Sequence, residues 1–114
     1  MDGMRKTQEV DHSIFVKKPL AMRALRRSNV RKKIADYLFD IGPNGSYTAD
    51  IAYRIQTTPT NVIGAIRGMD ERYKDDESLL NLAIVEEIIN EKNTKIYKLT
   101  DFGKELLVSM NKQK

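Results

Sequence analysis

The sequence predicts an α+β fold that is mostly α: a three-helix core, a two- or three-stranded sheet built on a hairpin, and a C-terminal helix. Three observations predict it. Apolar side chains recur at helical spacing through residues 29–41. Two short helical patterns meet at Gln56-Thr57-Thr58, where Pro59 follows a capping threonine. A β-branched run ending at Ile89 and an alternating run over 95–99 flank a polar turn, and the second run leads straight into Thr100-Asp101-Phe102-Gly103.

The elements follow in chain order. Residues 1–19 read as a basic N-terminal arm, flexible or strap-like, and 20–114 as one folded domain; 114 residues suffice for one modest core and not for two. Leu20 to Arg27 is helix-capable, and Ser28 is a candidate cap for the next helix. In that helix, Asn29–Ile41, the side chains Val30, Ile34, Tyr37, Leu38 and Ile41 define one buried stripe. Gly42-Pro43-Asn44-Gly45 ends it. Ser46-Tyr47 has room for a strand of one or two residues. Thr48 is then expected to cap a helix over Ala49–Ile55, with Asp50 near its positive end.

Thr58 is expected to cap a third helix running to about Met69, with Val62, Ile63, Ile66 and Met69 inward. In the hairpin, Ala83–Ile89 forms the first strand, Glu91–Asn93 the turn and Lys95–Leu99 the second strand, with Tyr97 and Leu99 on the inner face. Thr100 caps a last helix that buries Phe102, Leu106 and Met110. A trihelical helix-turn-helix followed by hairpin and helix is the layout of a winged helix-turn-helix. The acidic stretch 70–78 interrupts it as an exposed loop or helical extension between third helix and hairpin.

The run Tyr97-Lys98-Leu99-Thr100-Asp101-Phe102-Gly103-Lys104-Glu105-Leu106, together with Leu82-Ala83-Ile84-Val85-Glu86, resembles the winged-helix transcriptional regulators of MarR-like type found in archaea and bacteria. The resemblance covers roughly residues 28–110 and implies a DNA-binding transcription regulator acting as a homodimer. In such regulators the third helix enters the major groove and the hairpin lies on the backbone. The outward residues of that helix are expected to be Thr58, Thr60, Asn61, Gly64, Arg67 and Gly68. Asn61 suits adenine, Arg67 guanine or a phosphate, and a threonine methyl suits thymine. Gly64 and Gly68 each weaken a helix by about 1 kcal/mol relative to Ala. Close approach to DNA explains them, or close packing against another helix, which is favoured for Gly68.

Charge supports the same orientation. Residues 1–33 carry ten Lys/Arg against three acids and residues 94–114 five against two, while 70–93 carry three against eight. Such asymmetry steers a protein toward phosphates. The candidate phosphate contacts are Lys92, Asn93 and Lys95 at the hairpin tip and Arg26 and Arg27 with Arg31 beside the first helix, in a cluster that also holds Arg23, Lys32 and Lys33. The solvated face of a helix is the alternative reading of that cluster.

Other functions find little support. There is no Cys and one His, so neither a metal site nor any other cofactor is expected, and no small-molecule effector is evident. No phosphate-cradling loop, cysteine nucleophile or HExxH pair is present, and Asp75-Asp76 sits in a polar stretch, so the protein is not expected to be an enzyme. No signal-peptide core and no run near 18 apolar residues occurs. The expected setting is therefore cytoplasmic, with no membrane partner. The alternative function is a winged-helix protein–protein interaction module in a transcription or translation assembly. It is motivated by the acidic insert, the near-neutral third helix and the apolar segments Ile14–Val16 and Leu106–Met110.

Overall fold

Ser28 separates the first two helices and caps the second. In the computed structural model, which describes residues 17–68 and 77–112, α1 occupies 17–27 and α2 Asn29–Ile41. Lys17, Lys18 and Pro19, assigned to the arm from sequence, are thus helical. Ser28 is extended, and its Oγ accepts from the Arg31 backbone N–H at 3.2 Å, as an N-cap should. The buried stripe of α2 is Ile34, Ala35 and Leu38, with Val30 and Tyr37 half-buried. Ile41, expected inside, is exposed: it is the last helical residue, where the chain leaves the core through Gly42.

α3 spans Thr48–Ile55 and buries Ile51 and Ala52. Thr48 is its first helical residue and does not cap it; the cap position belongs to Tyr47, which contributes no side-chain bond. Gln56 closes α3 in the left-handed region (φ 61°, ψ 52°), and the next N–H, of Thr57, donates to Ala52 O at 2.9 Å. α4, Pro59–Arg67, starts under the expected cap, with Thr58 Oγ1 accepting from Asn61 N–H at 3.1 Å. It stops two residues short of the expected end because Gly68 takes φ 90°, conformational space that Gly reaches without strain. Gly68 thus ends α4 at a positive φ that favours glycine. Met69 and the acidic stretch through Asp76 lie outside the described residues.

The segment 77–84 completes α4 from a distance. Leu79 and Leu80 N–H donate to Ala65 O and Ile66 O, both at 3.0 Å, which satisfies carbonyls that a helix end leaves open. Leu79, Leu82 and Ile84 enter the core with it. The first strand therefore begins later than expected: β1 is Val85–Ile89, after Ala83 has turned the chain at φ 58°.

β1 pairs antiparallel with β2, Lys95–Leu99, with Glu87 opposite Tyr97. On the other edge of β2, Ser46 N–H donates to Tyr97 O at 2.9 Å and Tyr97 N–H to Ser46 O at 2.7 Å. The brief strand expected at Ser46 is thus a single bridge beside a two-stranded sheet. Tyr97 and Leu99 are buried, as alternation requires. α5, Asp101–Lys112, packs Leu106, Leu107 and Met110 into the shared core, with Phe102 half-buried. Leu106 and Met110 are consequently not a free apolar surface. The described chain is mostly helical with one small antiparallel sheet, and no helix in it is long and apolar enough to cross a membrane.

Candidate nucleic-acid interface

The exposed side of α4 is narrower than the sequence suggests. Val62, Ala65 and Ile66 fix its inner face, and Gly64, expected outside, is also buried. Thr58 and Thr60 are exposed, whereas Ile63, expected inside, is 39% exposed. Helical geometry explains the last correction. Ile63 lies about 100° around the axis from Val62 and is separated by three and four residues from Thr60 and Arg67, so these three share one stripe. Asn61 is half-buried, and its Nδ2 donates to Thr57 Oγ1 at 3.0 Å, so the amide braces the turn between α3 and α4.

Arg67 lies at the end of that stripe, but its guanidinium is engaged. Nε donates to Tyr97 Oη at 3.3 Å and Nη2 bonds to Glu87 Oε1. Tyr97 Oη also donates to Glu87 Oε1 at 2.9 Å, closing a three-residue cluster between α4, β1 and β2. Burial disfavours the charged form of Glu87, yet hydrogen bonds from Tyr97 and Arg67 outweigh it and hold the carboxyl below its ordinary range. Burial raises the Tyr97 hydroxyl, which stays a proton donor. Arg67 keeps a side chain 38% exposed.

The hairpin tip is built by Asn90. Asn93 N–H donates to Asn90 O at 2.9 Å, closing a turn, and Asn93 itself takes φ 64°, in the left-handed region. Asn90 Oδ1 further accepts from Lys92 N–H at 3.0 Å and Thr94 N–H at 2.9 Å. Lys92, Asn93 and Lys95 are all exposed, and neither lysine makes an ion pair among the described residues.

The basic cluster near α1 divides. Arg23, Arg26, Arg27 and Lys33 are exposed. Arg31, expected on the surface, is 4% exposed, because its guanidinium turns inward to Glu77, 3.6 Å away. Arg27 reaches the same carboxylate at 3.0 Å. Lys32 pairs with Asp36 on its own helix at 2.8 Å.

A second network holds α3. Asp50 Oδ2 accepts from Ser46 Oγ at 2.6 Å and Tyr37 Oη at 2.7 Å, and Oδ1 from Arg54 Nε at 3.4 Å. The Ser46 hydroxyl, and then Tyr37, keep the Asp50 carboxyl below its ordinary range. Arg54 lies over the ring of Tyr53, 5.8 Å from its centroid, and Tyr53 is 77% exposed. Among the described residues no group of three His, Cys, Asp or Glu is arranged to hold a metal ion.

Sequence reading missed Glu87, Glu77 and Tyr97 as partners of the arginines. The facing positions of two predicted strands hinted only that Glu87 meets Tyr97, not that either meets an arginine. The Ile63 stripe was recoverable from helical geometry alone.

These features define a small α+β domain in which one helix is locked to an antiparallel hairpin through an arginine, a tyrosine and a glutamate. Residues 21–110 match the family model described as EarA-like, and the chain belongs to the EarA-like family. An uncharacterized protein of Methanocaldococcus jannaschii is 39% identical over 95 residues, covering 83% of this chain and 85% of that protein. No solved structure matches the chain. The family found is EarA-like, and the comparisons do not support the MarR-like resemblance in particular.

Proposed function

We infer that the protein is a double-stranded-DNA-binding transcriptional regulator of winged helix-turn-helix type, with α3 and α4 as the helix-turn-helix and the β1–β2 hairpin as the wing. One observation carries the reading: the bond of Arg67 to Tyr97 and Glu87 joins the exposed stripe of α4 to the hairpin that bears Lys92 and Lys95. α4 enters the major groove, where Thr58 and Thr60 meet base edges and Ile63 offers apolar contact to a thymine methyl. Lys92, Asn93 and Lys95 meet the backbone, as do Arg26 and Arg27 of α1. Arg31 and Gly64 drop out, since both are buried.

With no unengaged arginine on α4, affinity comes mainly from phosphates and is only modestly sequence-selective. The protein acts as a homodimer in the cytoplasm, placing two α4 helices on half-sites about one helical turn apart. Fluorescence anisotropy with random duplex DNA tests the reading. Binding that weakens steeply with salt and exceeds binding to single strands is expected. No duplex binding at about 50 mM salt would overturn it. Light scattering checks the dimer; a mass of one chain at micromolar concentration removes that part.

A protein-interaction module is the second reading. It is favoured by Ile88 and Ile89, which leave two large apolar side chains exposed on β1.

A further inference from the structure

Glu87 takes one of the outer guanidinium nitrogens of Arg67, a donor of the kind that also binds phosphate. Its Oε1 takes Nη2 of the guanidinium while Tyr97 Oη takes Nε, and all three groups lie between the exposed stripe of α4 and the hairpin. A carboxylate and a phosphate each offer a pair of anionic oxygens to the arginine fork, so the two compete for the same N–H donor. The side chains of Arg67 and Glu87 remain 38% and 25% exposed, so an incoming phosphate can reach the pair.

We propose that Glu87 is an intramolecular competitor for the DNA backbone, holding Arg67 off phosphate until a duplex is seated on α4 and the hairpin. This rests on the DNA-binding reading and adds a residue that sets its strength. Tyr97 keeps hold of Nε throughout, so the exchange is a swing of the outer guanidinium nitrogens and not a release of the whole side chain. Glu87 is therefore a positioning residue that acts through Arg67. Its carboxylate weakens loose encounters, where an off-register phosphate cannot repay the lost pair.

The test is duplex-DNA anisotropy on the full chain across a salt series. Glu87→Gln is expected to bind random duplex about 5- to 10-fold tighter, the order of one charge-assisted hydrogen bond after screening. The slope of log K against log salt should steepen by about one unit, for one more neutralised phosphate. In an Arg67→Ala background the same Glu87→Gln change should gain less than about 2-fold. Equal affinity of Glu87→Gln and wild type overturns the proposal. So does a gain that persists undiminished without Arg67, which would make Glu87 a plain repulsive charge. If Glu87→Gln melts below the assay temperature, Glu87→Asp carries the test, because the shorter side chain keeps the charge but draws the carboxylate back from Nη2 and should tighten binding in the same direction. Wild type that binds no duplex at low salt defeats the DNA reading itself and this proposal with it, an outcome distinct from the other two.

Discussion

Thr58 and Thr100 both cap the helix that follows them, yet the joints they make are opposites. Thr58 makes the cap bond to Asn61 N–H and is otherwise exposed, leaving the start of α4 open. Thr100 accepts from Gly103 N–H at 2.9 Å, donates to Ala83 O at 2.6 Å, and sends its backbone N–H to Ile84 O at 3.0 Å. A Cβ on Gly103 would sit 2.4 Å from Ile84 O, so the start of α5 is pressed directly onto the chain entering β1. One cap presents a surface and the other seals a core. Stability and binding should therefore respond to different substitutions.

The sealed joint should break hardest. Gly103→Ala forces a side chain into backbone and should cost about 3 kcal/mol, read as a lower urea midpoint; a change under about 1 kcal/mol would mean that the joint has slack. Thr100→Ala removes the cap and leaves Ala83 O without its donor, an expected loss of about 2 kcal/mol. At the open joint, Thr58→Ala loses only a cap and should cost about 1 kcal/mol in the same assay. Thr60→Ala should stay within about 0.5 kcal/mol of wild type in stability while weakening duplex binding, which separates surface from scaffold most cleanly.

The smallest effect expected is in acid. Asp50 has a folded pKa below its ordinary 3.8, so its contribution is fully present at neutral pH and fades as pH falls from that value through the folded one. Asp50→Asn should therefore lie closest to wild type in urea midpoint at low pH and furthest from it at neutral pH. Parallel midpoints across that range would deny the carboxylate a stabilising role.

The two joints also show what a single sequence discloses. Both caps were legible, because a threonine followed by Pro59 or Asp101 is a signal confined to a few neighbouring residues. The hairpin and its inner Tyr97 were legible through alternation. What Thr100 and Gly103 press against was not, because Ala83 and Ile84 read as the start of the first strand and instead form the turn before it. The same blindness affected the site. Arg67 reads as a free cation until Glu87, twenty residues on, meets it, and Arg31 reads as surface until Glu77 draws it inward. Ion pairs between distant elements leave no spacing to detect.

The central claim is that α4 and the hairpin tip face one duplex together. Its most direct test is the salt dependence of random-duplex binding for wild type and for the double substitution Lys92→Ala with Lys95→Ala. Two lost phosphate contacts should flatten the slope of log K against log salt by about 1.8 while the fold stays intact by circular dichroism. An unchanged slope, with wild type binding normally, would contradict the claim and take the hairpin out of the interface.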